Sequence, residues 1–181
     1  MAIGTIDDVK GARRVLTFGV CGSGKSTLAE AIAGKLALPY ISVDDLCWEP
    51  GWVSLPPDEI DRRVLPRLAG EQYVIDSVYG RHNAAALGRV DVVVALDYPR
   101  LTSLWRLVRR TWRRVVRREA CCNGNYESFA RVFSSDSIIR WHFTSFRSKR
   151  SRMRTWHADP ATVPVVLLKR PRDAQALLAH L

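Results

Sequence analysis

The chain has 181 residues, 47% of them hydrophobic and 25% charged. That balance predicts a single domain, residues 1–181, with a substantial core, and it excludes a disordered polymer. The net charge of +10, carried mainly by arginines in the second half, calls for an anionic partner: a nucleotide, another phosphate compound, nucleic acid or acidic lipid. No apolar run is long enough to span a bilayer. Residues 1–10 contain Asp7 and Asp8 and lack a signal-peptide pattern, so a cytoplasmic location is expected. Cys21, Cys47, Cys121 and Cys122 form no C-x-x-C pair and no zinc spacing, which predicts reduced thiols.

Residues 1–12 read as a short, weakly ordered lead-in. Residues 14–18 form an apolar strand, and a glycine-rich turn and a helix over 28–36 follow it. A second strand covers 40–43, with Asp44 and Asp45 at its C-terminal end. Residues 46–57 read as a loop, and 57–69 as a helix bent near Pro66. A third strand, 72–76, ends in Asp76. A loop over 77–83 leads to a short helix around 84–87. The continuous β-branched run 90–96 is expected to be a strand buried on both faces. Pro99 opens a long helix to about residue 119. Asn123-Gly124-Asn125 breaks it, a second helical stretch runs over 127–157, 163–168 form the fifth strand, and 172–181 the last helix. Five strands alternating with helices predict an α/β fold with a parallel sheet. Ligands of such sheets bind at the carboxyl ends of the strands, the rim that Gly19, Asp44, Asp76, Asp97 and Lys169 occupy.

The turn Gly19-Val20-Cys21-Gly22-Ser23-Gly24-Lys25-Ser26, followed by Thr27, fits G-x-x-x-x-G-K-[ST] at every fixed position, in the strand–turn–helix setting the pattern requires. Its glycines let backbone N–H groups close around an anion at a helix N-terminus. Lys25 supplies a mobile charge for the β- and γ-phosphates, and the Ser26 hydroxyl is placed to ligate Mg²⁺. Asp76, ending an apolar strand beside this loop, reads as a Mg²⁺ carboxylate. Asp44 reads either as a carboxylate that orients or deprotonates an acceptor hydroxyl or as a turn residue. Trp48 and Trp52 read as an apolar wall or as packing under the loop. Asp97, before Tyr98-Pro99, reads as a helix cap. In the helix that follows, Arg106, Arg109, Arg110, Arg113, Arg114, Arg117 and Arg118 fill one face, while Leu101, Leu104, Trp105, Val108, Trp112 and Val115 fill the other. A second basic group, Arg140, Arg147, Lys149, Arg150, Arg152 and Arg154, lies further on, and the two together read as a lid over about 106–155. The four histidines show no metal-ligand spacing and receive no role.

Taken together, Gly19–Thr27, Ile41-Ser42-Val43-Asp44 with Trp48 and Trp52, Val74-Ile75-Asp76, Leu96-Asp97-Tyr98-Pro99-Arg100 and Gly124-Asn125-Tyr126-Glu127-Ser128 resemble the adenylate-kinase-like branch of P-loop kinases. The resemblance is closest to the bacterial topology-modulation, or adenylate-kinase-related, group. It implies a sheet order 2-3-1-4-5 and a mobile arginine-bearing lid. It also implies that Arg106 packs on adenine, that Arg110 contacts phosphates, that Asp76 belongs to the Mg²⁺ site, and that Lys169-Arg170-Pro171 borders adenine. The chain departs from the family after Asp76, where Ser77-Val78-Tyr79-Gly80-Arg81 replaces the Gly-Phe-Pro-Arg type of segment that helps bind an acceptor nucleotide.

The expected function is transfer of the ATP γ-phosphate to a small-molecule acceptor, with the nucleotide on Gly19–Thr27, including Cys21 and Ser23, and the acceptor near Asp44, Trp48, Trp52 and Arg81. Arg106 and Arg110 are expected to close over the transferring group. Two alternatives stay open: a nucleotide-dependent regulator that binds nucleic acid through the basic helices, and an ATPase without an acceptor.

Overall fold

The computed structural model describes residues 3–134 and 137–181. Five strands, β1 (Arg14–Gly19), β2 (Tyr40–Ser42), β3 (Tyr73–Asp76), β4 (Val92–Leu96) and β5 (Val165–Leu168), form one parallel sheet in the order β2-β3-β1-β4-β5. Pairing of Thr17 with Asp76, Ser42 with Asp76 and Gly19 with Leu96 brings the strand ends to one rim. Successive side chains alternate between two cores, as strand geometry requires. Leu16, Phe18, Ile75, Val93 and Ala95 face one core, which Val64, Leu68, Met153 and Trp156 complete. Val15, Val74, Val92, Val94 and Leu96 face the other, completed by Val9, Leu28, Ile32 and Leu177.

The helices on these faces are α1 (Ile6–Gly11), α2 (Lys25–Leu36), α3 (Val43–Cys47), α4 (Pro57–Leu68), α5 (Asn83–Leu87), α6 (Arg100–Arg117), α7 (Phe129–Val132), α8 (Ile138–Ala158) and α9 (Pro171–His180). Among the described residues none is long and apolar enough to cross a membrane.

The structure corrects three expectations. From residue 3 the lead-in is ordered: Thr5 and Asp8 form a capping box that starts α1, Val9 is fully buried, and the Gly4 N–H donates to the Val165 carbonyl at 3.1 Å. The helical stretch 127–157 is two helices, each started by a serine, Ser128 for α7 and Ser137 for α8.

Asp97 does not cap α6, whose N-terminus has no side-chain cap. It lies buried at the end of β4, where its carboxylate takes Arg150 Nε at 2.5 Å and Arg154 at 2.8 Å. The acid therefore anchors α8 to the sheet.

Of the two faces read on α6, the apolar one lies largely exposed. Ser103, Leu107 and Thr111 are its buried residues, while Leu101, Trp105 and Trp112 are 79%, 67% and 62% exposed. Periodicity shows that a helix has two faces but not which one packs. Here the narrow Ser–Leu–Thr ridge wins because α6 seats directly on the glycine turn. A Cβ added at Gly22 would stand 2.7 Å from Leu107 Cβ, closer than two carbons pack.

Candidate phosphotransfer site

The turn between β1 and α2 takes φ of +80° at Gly22 and +93° at Gly24, conformations open to glycine at little cost. No side chain caps the α2 N-terminus, so its first N–H groups are available to an anion. The turn is held from three sides. Thr17 Oγ1 donates to the Lys25 carbonyl at 3.2 Å. Arg106 donates to the Ser23 carbonyl at 3.0 Å. The His142 ring lies 3.0 Å from the Cys21 carbonyl through Nδ1, and burial lowers its pKa, which favours the neutral ring with Nδ1–H as donor. The sequence offered His142 no role because its partner lies 121 residues away.

Two clefts meet at Lys25, Ser26 and Arg110. The smaller, about 530 Å³, runs over Gly22–Thr27 between α6 and α9 and is lined by Tyr98, Arg106, Arg109, Arg113 and Gln175. The Arg106 guanidinium also sits 5.8 Å over the Tyr98 ring. The larger, about 1480 Å³, holds Asp44, Asp76, Trp48, Trp52, Tyr79 and Lys149. Arg110, between the two, buries its Nε without a hydrogen-bond partner among the described residues, and desolvation lowers its pKa.

Asp76 is 4% exposed. Its carboxylate accepts the Tyr40 hydroxyl and the Val43 N–H, each at 3.0 Å. Burial raises its pKa, while the Ser26 hydroxyl, the Val43 N–H and the Lys25 charge oppose that shift. Ser77, just after it, holds φ at +73°, a strained value for a side chain other than glycine. Ser26 and Asp76 are hard oxygen donors and only two in number. Such a set suits Mg²⁺, which keeps several waters and takes phosphate oxygens, better than an all-protein metal cage. Among the described residues no group of three or more His, Cys, Asp or Glu could hold a metal.

Asp44 and Asp45 lie in the first turn of α3, which Ser42 caps through the Asp45 N–H, rather than on the strand. They have separate fates. Asp45 accepts the Asn123 N–H at 2.9 Å. Asp44 faces the large cleft and accepts the Tyr79 hydroxyl at 3.4 Å, while Trp48 Nε1 donates to that hydroxyl at 3.2 Å. Trp48 and Trp52 meet edge to face at 5.8 Å, and Arg131 lies 4.3 Å over Trp52.

The loop expected over 46–57 contains a hairpin, Trp48–Glu49 with Val53–Ser54. The helix break at 123–125 is a second hairpin, Ala120–Cys121 with Asn125–Tyr126. Buried Asn125 clamps the two together. Its Oδ1 accepts the Trp52 N–H at 2.6 Å, and its Nδ2 donates to the Glu49 and Cys122 carbonyls at 3.0 and 2.6 Å. The clamp roofs the large cleft.

The structure thus brings Gly22, Ser23, Gly24, Lys25, Ser26, Thr27, Arg106 and Arg110 to the small cleft, and Cys21, Asp44, Trp48, Trp52 and Asp76 to the large one. Gly19 ends β1 beneath the turn. Besides Gly19, two expected site residues lie outside both clefts. Arg81 turns away to pair with Asp61 at 2.7 Å, beside His82. Arg170 is the residue before α9, its N–H bonded to Asp173 at 2.8 Å. Tyr79 and Asn125 line or roof the site without having been placed there from sequence, and Lys149 and Arg152, read only as part of the basic lid, line the large cleft.

No protein-family model matches the chain, and no curated protein sequence does. Among solved structures it is similar to a gluconokinase from Sinorhizobium meliloti 1021, with a TM-score of 0.53 and 20% identity over 92% of this chain and 91% of that one. The likeness is one of fold: the chain shares that structure's α/β architecture, a five-stranded parallel sheet flanked by helices.

Proposed function

We propose that the chain is an ATP-dependent phosphotransferase acting on a small-molecule acceptor. The observation that carries this reading is the meeting of two clefts at Lys25, Ser26 and Arg110, one over the phosphate turn and one holding a carboxylate. A nucleotide in the small cleft presents its terminal phosphate at that junction, facing an acceptor in the large one. A simple ATPase needs no second cleft of this size.

In this reading the acceptor hydroxyl oxygen attacks the γ-phosphorus as the bond to the β-phosphate oxygen breaks, and ADP leaves. Asp44 orients the hydroxyl and takes its proton. Lys25 and the turn N–H groups hold the β- and γ-phosphates. Arg110, unpaired and largely desolvated, and Arg106, once it leaves the Ser23 carbonyl, stand over the transferring group, whose charge such cations stabilise. Ser26 and Asp76 would hold Mg²⁺, which neutralises charge on the β- and γ-oxygens when bound. Arg106, Arg109, Arg110, Arg113 and Arg114 of α6 line the clefts, whereas Leu101, Trp105 and Trp112 face outward. That placement favours phosphotransfer over nucleic-acid binding.

The test is transfer of labelled phosphate from ATP to a metabolite pool. A labelled product that disappears in Lys25→Ala supports the reading. Transfer intact in that variant, or ATP hydrolysis that no acceptor changes, overturns it.

A further inference from the structure

The large cleft holds a second cationic group that the transfer chemistry does not use. Ser145, Ser148, Lys149 and Arg152 recur at helical spacing on one face of α8, and all four line the cleft. Neither Lys149 nor Arg152 lines the small cleft over the phosphate turn. The contrast with their neighbours on the same helix decides the matter. Arg150 and Arg154 point to the other side, where both are neutralised by Asp97. Lys149 and Arg152 make no ion pair among the described residues.

Lys149 is partly buried, and desolvation lowers its ammonium pKa, with Lys25 and Arg152 adding repulsion and Cys21 and Asp44 partly offsetting it. Arg152 reaches towards the turn after β3, where its guanidinium stands 4.0 Å from the place a Gly80 Cβ would take. Cations withdrawn from water without a counter-charge are costly unless a bound anion completes them. Ser145 has already given its proton to the Trp141 carbonyl at 2.6 Å, which leaves Ser148 as the free hydroxyl donor of the stripe.

We propose that Lys149 and Arg152, with the Ser148 hydroxyl, form an anion subsite for the acceptor, so that the acceptor is a small molecule carrying its own carboxylate or phosphate besides the hydroxyl that is phosphorylated. The proposal rests on the phosphotransfer reading. Trp48 and Trp52 line the same cleft as an apolar wall, and Asp44, also lining it, meets the hydroxyl. Asp44 also disfavours an acceptor whose charge sits at the reacting end, which fixes the acceptor's direction.

The experiment has two arms. In the first, the small cleft is filled with Mg²⁺ and a non-hydrolysable ATP analogue, and the protein is titrated calorimetrically with inorganic phosphate and, separately, with acetate. Saturable binding of one or both is expected, weakened at least ~30-fold in Lys149→Met and in Arg152→Met, as loss of a charge-assisted contact implies. Which anion binds tells phosphate from carboxylate. No binding of either, or equal binding by the variants, overturns the proposal.

In the second arm, ATP turnover is measured with polyols of three to six carbons, with the same skeletons ending in a carboxylate, and with the same skeletons ending in a phosphate. Turnover is expected only with charged members. In Lys149→Met the acceptor KM should rise at least ~30-fold while the KM for ATP stays within about threefold. A neutral polyol as the best acceptor overturns the proposal. Failure of the analogue to bind at all removes the phosphotransfer reading along with the subsite, whereas analogue binding without anion binding removes the subsite alone. Replacing an unpaired, desolvated lysine by methionine keeps its apolar stem, and the variant's melting temperature checks that it folds.

Discussion

Arg106 gives its guanidinium proton to the carbonyl oxygen of Ser23, 3.0 Å away in the heart of the phosphate turn. A residue at the start of the second turn of α6 is thereby bonded to a peptide 83 positions earlier. The bond holds the arginine where a nucleotide phosphate would compete for it. Arg106→Ala is expected to raise the KM for ATP about tenfold, from loss of a charge-assisted contact. It should also lower kcat by about 10²-fold, the scale of a lost transition-state donor. Steady-state kinetics at varied ATP check this, and an unchanged kcat/KM would remove Arg106 from the site.

Asp76 makes a prediction about stability as well as turnover. Burial raises its folded-state pKa above the unfolded value. The folded chain therefore binds the proton more tightly than the unfolded chain. This contribution to stability is fully present below the unfolded pKa and is lost as pH rises through the folded one. At pH 7 the ionised carboxylate is a cost. Asp76→Asn should leave the nucleotide-free protein at least as stable as wild type at pH 7 in urea unfolding, and relatively less so at pH 4. Mg²⁺-dependent turnover should fall about 10²-fold or more. A variant that loses stability at pH 7 and keeps turnover would make Asp76 structural.

Asp97 is expected to support stability through its ion pairs. Its carboxylate is 2% exposed and joins Arg150 and Arg154 to the end of β4. The arginines are 34% and 54% exposed, so solvent screens part of the interaction and accepts them when the acid is removed. Asp97→Ala should destabilise the chain by about 1–3 kcal/mol, the cost of orphaning charge-assisted hydrogen bonds. Asp97→Asn should cost less. Equilibrium unfolding of both measures it.

The outward stripe of α6 yields a test that separates periodicity from packing. Were the apolar face buried, Trp105→Ala would cost about 3–5 kcal/mol. With Trp105 67% exposed, Trp105→Gln should change stability by less than about 0.5 kcal/mol and make the protein more soluble. Unfolding midpoints and the concentration limit before aggregation report the outcome.

What the sequence discloses about this site depends on how far apart the cooperating residues lie. The glycine-rich turn is written in consecutive residues, and Asp76 is placed by the strand it ends, so the positions of both were legible. The sheet order followed from the resemblance, and the burial of the inner strand β4 on both faces from its β-branched run. Asn125 was not legible, because its work is to join Glu49 and Trp52 to a hairpin more than seventy residues on. Arg81 looked like an acceptor ligand by proximity to Asp76, but the turn over Gly80–His82 sends it to Asp61 instead. Lys149 and Arg152 were visible only as members of a basic run. Separating them from Arg150 and Arg154 required knowing which face of α8 meets Asp97.

The six tryptophans of the chain are distributed in a way that makes the large cleft observable. Trp156 is fixed in the core against Phe18, at 4.6 Å, and Trp105, Trp112 and Trp141 emit from solvent. Trp48 and Trp52 stand together in the wall facing the phosphate turn, one tied through Tyr79 to Asp44 and the other lying under Arg131. Any molecule that displaces Arg131 or repolarises Asp44 will alter their emission. The pocket thus contains its own chromophore, and ligands can be sought by light before a single one is known.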